Sequence, residues 1–315
     1  MSFKKYTFSE QAILTTLLYS DIFSFPLTKD ELWKFLIAGE KISREEFEKS
    51  LSSLHNIIVQ QSGYYCLLRR EEICKKRKEN IAEVKKKLQL AAFAAGRISR
   101  IPSVLFIGLS GGLSVGDVTQ KDDIDLVIIS RKDTLFVSRL FVLSLLQSLG
   151  VRRSRNQKNT ADTLCINLLF DETALDWFGK HKDIYTAREI AQMVPLFERD
   201  KMYSKFINAN KWIERFLPNT MSFLCKQELF DPVFGGDNKN ASKNNNFGAK
   251  LVTIFFFNPF FESLSRGLQM NLMKGHQTNE IVQKHVLAFH PNDYRIETLK
   301  QLRLKMRQFG LLTKI

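Results

Sequence analysis

The sequence predicts an α+β protein. A small mixed sheet is flanked by an N-terminal module of helices plus a hairpin and by a C-terminal helical region. Three observations carry this. Residues 1–70 show helical apolar spacing with capping signatures. From 103 to 170 short apolar strands alternate with a turn and a helix. Beyond that, helical periodicity returns. The expected divisions are 1–70, a connecting helix over 71–102, a central unit over 103–195, and a helical region over 196–315 with a flexible loop at 235–248.

In the N-terminal module, Phe8 to Tyr19 is apolar at helical spacing. Thr28-Lys29-Asp30-Glu31 reads as a capping box that opens a second helix through Leu32, Phe35 and Leu36. Ser43-Arg44-Glu45-Glu46 repeats the signature and opens a third, carrying Phe47, Leu51 and Leu54. Ile57-Ile58-Val59 and Tyr64 to Leu68 flank Gln-Ser-Gly as a hairpin. Three helices and a wing resemble a winged helix-turn-helix, whose third helix commonly enters the major groove of DNA. Here that helix carries Glu45, Glu46 and Glu48 against only Arg44 and Lys49, a poor match to phosphate. Packing against protein is the competing use. The connecting helix carries a basic run from Arg69 to Lys87 interleaved with glutamates, and Glu83–Lys87 has helical pairing distance. A solvated, partly self-paired face is the expectation.

The centre is more specific. An apolar strand at 103–109 runs into Ser110-Gly111-Gly112, and a second strand at 123–130 opens with Asp123-Ile124-Asp125. Residues i and i+2 of a strand share a face, so the two carboxylates lie side by side. Such a pair is costly without a cation or proton between them. Hard oxygen ligands suit Mg2+, which is commonly held by one or two carboxylates plus a substrate phosphate. Glycines at 111 and 112 let backbone N–H groups approach a phosphate with no Cβ in the way, and Ser110 adds a hydroxyl. Asp117 and Asp122 read as turn residues. A helix from Leu135 to Leu146 and a strand over 163–170 follow. Period-2 alternation along that strand places Thr163, Cys165, Asn167 and Leu169 on one face, and Leu164, Ile166, Leu168 and Phe170 on the other. Before it lies a basic cluster of Arg152, Arg153, Arg155 and Lys158, whose guanidinium groups suit bidentate contact with phosphate.

Gly111-Gly112 followed by Asp123-Ile124-Asp125-Leu126, between two apolar strands, resembles the nucleotidyltransferase domain of the DNA polymerase beta superfamily over about 103–170. The resemblance implies transfer of a nucleoside monophosphate from an NTP to an acceptor, with Mg2+ or Mn2+ held by Asp123 and Asp125. Ser110, Gly111, Gly112, Arg152 and Arg153 would hold the nucleotide. The family supplies a third carboxylate from a later strand; here that position reads as Asn167, which can ligate through its carbonyl but brings no charge. Asp162 and Asp171 flank the strand and would substitute only in a different register. The acceptor is left open among a small molecule, a protein and an RNA end. A second class of function stands beside the enzyme: a regulatory protein that senses nucleotide or binds nucleic acid through the N-terminal module.

Composition sets the outer limits. At 315 residues, with 44% hydrophobic content and 26 phenylalanines, the chain is long and apolar enough for two or three cores. A net charge of +14 favours polyanions such as nucleotides, nucleic acid or an anionic surface. Four widely spaced cysteines with no C-x-x-C pair argue against zinc and a disulfide framework, and five histidines show no metal spacing. No apolar stretch follows the first lysines, so no signal peptide is expected and the cytoplasm is the expected compartment. Residues 251–261 are strongly apolar but shorter than the roughly 20 residues needed to cross a bilayer. No transmembrane segment is therefore expected. Asn258-Pro259 reads as a helix start, with Phe261, Leu264, Leu268 and Leu272 as a stripe packed on the core.

Overall fold

The computed structural model describes residues 6–154, 157, 159–176, 178, 181–224, 256–274, 281–289 and 294–311. The loop 235–248, Cys225, Arg155, Lys158, His276 and His290 lie outside the described residues. The architecture is mixed α+β.

The N-terminal elements form where the local signals place them. Helix α1 (Phe8–Ile22) is followed by β1 (Leu27–Thr28), α2 (Lys29–Lys34), α3 (Arg44–Ser53) and the hairpin β2 (Ile58–Gln61) and β3 (Tyr64–Leu67). The three strands make a small sheet in the order β1-β3-β2. Thr28 and Glu31 close a full capping box at α2. Thr7 and Glu10 close another at α1, a pair the sequence reading passed over. Ser43 caps α3, but the Glu46 carboxylate turns away to accept from Ser9 Oγ on α1.

The connecting segment is two helices, α4 (Glu72–Glu79) and α5 (Ile81–Ile98), meeting at Asn80 rather than one continuous rod. Its basic face is not wholly solvated either. Lys87 is fully buried, and its Nζ donates to Asp122 O at 2.7 Å and to Asp162 Oδ1 at 3.1 Å. A buried ammonium needs such acceptors, and this one fixes the loop that leads into Asp123.

A six-stranded mixed sheet follows, in the order β7-β4-β5-β6-β9-β8. Its central strands are β4 (Val104–Leu109), β5 (Ile124–Ser130) and β6 (Leu164–Asp171). β5 runs antiparallel to β4 and parallel to β6, and α7 (Leu135–Ser148) makes the crossover. β7 (Val194–Glu198) pairs with β4, an edge the sequence reading did not foresee. β8 (Ile281–Val282) and β9 (Val286–Ala288) extend the other side inside a stretch expected to be helical. With two and three residues they carry no periodicity of their own; pairing with β6 makes them strands.

α5 and α7 cover one face of the sheet, through Ala91, Ala94, Ile98, Val142 and Leu146. The other face belongs to a core that runs without a break into the N-terminal module. It joins Leu17, Phe35 and Leu67 to Val127 and Phe170 of the sheet and to Ile184 and Ile190 of α8 (Ile184–Gln192). α9 (Met202–Ala209), a 3-10 turn (Lys211–Arg215), α10 (Met221–Leu224) and α12 (Tyr294–Gln308) complete this side. Among the described residues, no helix is long and apolar enough to cross a membrane.

α11 (Pro259–Lys274) starts where Asn258-Pro259 predicts, but its orientation reverses the expectation. Of the expected stripe, Leu264, Leu268 and Leu272 are exposed and Phe261 is half-buried, whereas Ser265 and Gln269 are buried. The polar face turns inward because α7 begins there with free N–H groups. Glu262 accepts from Phe136 N and Val137 N at 2.9 and 2.8 Å, and Gln269 donates to Phe136 O at 2.7 Å.

Candidate active site

Four segments converge at the ends of β4, β5 and β6. β4 ends at Leu109, and Ser110 stays tied to β5 through its N–H, which donates to Asp125 O at 3.0 Å. The chain then turns through Gly111 at φ +63° into the short helix α6 (Gly111–Val115). A Cβ on Gly111 would stand 2.5 Å from Asp125 Oδ2, and one on Gly112 would stand 2.3 Å from Asp117 O. Both glycines are therefore required by close approach, and the first also by its left-handed backbone. The Gly-Gly turn and the second aspartate are one packed unit.

Asp123 sits immediately before β5 and Asp125 within it. Asp123, Asp125 and Cys165 each offer a ligand atom, and the three atoms lie within 4.8 Å of one another. Burial, reinforced by the charge of Asp123, pushes the Asp125 carboxyl up to about 7, and the Arg153 guanidinium opposes this. Arg153 Nη1 donates to Asp123 Oδ2 at 2.5 Å, so of the predicted basic residues this one reaches the carboxylates. Arg152 forms a parallel backbone bridge with Leu164, and its side chain is exposed.

The third strand departs from simple alternation. Asp125 pairs with Cys165 and Leu126 with Ile166, but Val127 pairs with Leu168. Asn167 occupies the irregularity, so Leu168 and Phe170 join the face of Val127 and Ile129 while Leu169 crosses to the other core. The continuous alternation expected for 163–170 is thereby corrected; a bulge cannot be seen without the partner strand. Cys165 stands beside Asp125, and Asn167 is buried with its Nδ2 3.4 Å from Ser110 Oγ. Asp162 and Asp171 do not substitute. Asp162 pairs with Lys86 and Lys87, and Asp171 binds Thr173 and His285. Asp122 is the turn residue expected, accepting from Thr119 N and Oγ1.

Behind Asp125 lies a cavity of about 780 Å³. Gly111, Gly112, Asp117, Asp125 and Asn167 form its sheet-side wall. Tyr19, Phe23 and Phe25 come from the N-terminal module, and Tyr185, Arg188 and Glu189 from α8. Sequence reasoning missed these last six, and it also missed His181, which lines the same space. Burial pushes Glu189 up to about 7 against the pull of Arg188. Asp117 is raised by burial as well, and three carboxyls held above their ordinary values around one cavity are a common signature of functional sites.

The donor set can be tested against the cation that the motif implies. The two carboxylates are hard, closely set and mutually repelling, which fits Mg2+ or Mn2+. Cys165 does not add to that fit, because burial and the nearby aspartates push its thiol up to about 12 and keep it protonated. No protein-family model matches the chain, and no curated protein matches it.

Proposed function

We propose that this chain is a nucleotidyltransferase that moves a nucleoside monophosphate from an NTP to an acceptor hydroxyl and releases pyrophosphate. The observation that carries the reading is the packing of Gly111 directly on the Asp125 carboxylate, beside Asp123 and at the rim of a cavity. This joins the two halves of the motif in one place. On this reading the acceptor oxygen forms a bond to the α-phosphorus as the bridge to the β-phosphate breaks, and the acceptor proton leaves to water. Asp123 and Asp125 would hold Mg2+ or Mn2+, which when bound supplies positive charge against the developing phosphate charge. Gly111 and Gly112 keep the backbone open to phosphate, and Asn167 presents a neutral polar group at the same wall with Ser110 Oγ 3.4 Å behind its Nδ2. Arg153 serves as the countercharge of Asp123 and lies where a phosphate would meet it.

The finer architecture belongs to the same proposal: a winged-helix-like N-terminal module, a nucleotidyltransferase unit and a C-terminal region closing over it. DNA recognition gains no support from α3, whose exposed positions include Glu45, Glu46 and Glu48. One observation favours a second reading. Asn167 stands where a third carboxylate is expected, and a protein that binds nucleotide without transferring it would tolerate that change. Equilibrium binding tests the shared premise of both. Calorimetric titration with Mn2+ and then an NTP should give saturable binding that Asp123→Asn/Asp125→Asn weakens by at least tenfold. Equal binding by the double variant would place the nucleotide elsewhere.

A further inference from the structure

Among the described residues Arg188 is the largest buried side chain, 2% exposed, and it lines the cavity. Its Nε and Nη1 have no hydrogen-bond partner, and no ion pair joins it to a carboxylate among the described residues. Two aromatic rings stack on it instead: Cζ lies 4.3 Å from the centroid of Phe35 and 5.3 Å from that of Tyr19. Cation–π contact offsets part of the cost of burying the charge, but it leaves the planar donors of the fork unused. A buried, charged, unsatisfied donor is expensive, and a fixed guanidinium is well matched to a carboxylate or phosphate. The cavity lies within the usual range of small-molecule sites, roughly 300–1,000 Å³. Aromatic walls from Tyr19, Phe23, Phe25 and Tyr185 suit an organic body, and Asp125 stands at another wall of the same space.

We infer that Arg188 is an anion subsite, and that the cavity takes a small organic acceptor carrying a phosphate or carboxylate. The charged group sits on the Arg188 fork and the body lies among the aromatic rings, with its hydroxyl toward Asp125. The subsite stands on the geometry of Arg188 alone, whereas its assignment to the acceptor rests on the transfer reading.

The test uses the full-length chain in EDTA, so that no cation contributes. Inorganic phosphate, pyrophosphate and succinate are titrated while the Arg188 Nε–H resonance and the thermal midpoint are followed. The wild type and the Asp123→Asn/Asp125→Asn variant should both bind at least one of these anions, with the Nε–H resonance shifting on saturation. Arg188→Met should weaken binding at least tenfold. If that variant does not fold, Arg188→Lys and the wild-type resonance carry the test. An unmoved Nε–H resonance, or equal binding by the methionine variant, overturns the subsite. Adding an NTP together with Mg2+ in excess of the EDTA separates the two sources of the anion. Phosphate that stays on Arg188 beside bound NTP supports the acceptor, and phosphate displaced by NTP overturns that assignment in favour of a nucleotide phosphate. Absence of transfer activity would leave the anion-binding result intact, so the two readings fail separately.

Discussion

Gly111 and Asp125 constrain each other so closely that one methyl group should separate folding from function. Gly111→Ala adds a Cβ 2.5 Å from Asp125 Oδ2 at a left-handed backbone position. The left-handed backbone alone costs about 1 kcal/mol, and moving the carboxylate adds to it. The variant should fold with a lowered denaturation midpoint and lose at least tenfold in NTP affinity; unchanged affinity would mean that the turn does not set the carboxylate. Asp125→Asn should act in the opposite sense on stability. It removes a buried like-charge contact with Asp123, so in metal-free buffer its thermal midpoint should rise above wild type while any metal-dependent activity falls. A fall in both would indicate that the carboxylate is structural. At this scale the sequence was informative where chemistry is local. Gly-Gly and Asp-x-Asp are visible in the string, whereas the Arg188 fork and the Tyr19 ring meet only because α8 and α1 share a core.

Between elements, cohesion comes from a few charged ties. Asp21 at the end of α1 accepts from Arg70 Nε at 2.7 Å and from Lys305 Nζ of α12 at 2.6 Å. Burial alone would raise its pKa, but the hydrogen bonds from Lys305 and Arg70 outweigh it and hold the carboxyl below its ordinary value. Its stabilisation is therefore complete above the unfolded carboxylate pKa and is lost as pH falls through the folded one. Asp21→Asn should cost about 1.5–3 kcal/mol at pH 7, and urea midpoints should show the deficit shrinking toward pH 3. A deficit independent of pH would remove charge from the explanation. The capping of α7 is a parallel case. Glu262→Ala removes the acceptor of two N–H groups and should destabilise by about 1–2 kcal/mol, read from the same denaturation curves. Elements with self-contained signals, such as α2 with its Thr28–Glu31 box, were readable from the sequence. Those defined by partners were not. β8 and β9 exist through pairing, the bulge at Asn167 depends on register with β5, and α11 faces outward because α7 needs its polar side.

At the scale of the whole molecule, the N-terminal module and the central sheet share one apolar core, and both contribute walls to one cavity. Arg77 of α4 spans the join: it binds Glu31 of the N-terminal module through two bonds of 2.6 and 2.7 Å, stacks on Phe25 and Tyr64, and donates to Val115 O at 3.5 Å at the end of α6. Calorimetry should therefore record the module and the sheet unfolding in a single transition; separate transitions would show the module to be an independent appendage. This integration also bears on function. A module that supplies Tyr19, Phe23 and Phe25 to the cavity forms part of its wall, and on the proposed reading that wall meets the substrate. The most direct test of the central claim is turnover. Purified protein with Mg2+ or Mn2+ and each labelled NTP in turn, supplied with a pool of small phosphorylated and carboxylated hydroxy compounds, should release pyrophosphate. Asp123→Asn/Asp125→Asn should abolish that release. Tight, metal-dependent nucleotide binding with no pyrophosphate release under any of these conditions would contradict the transferase account and leave a nucleotide sensor in its place.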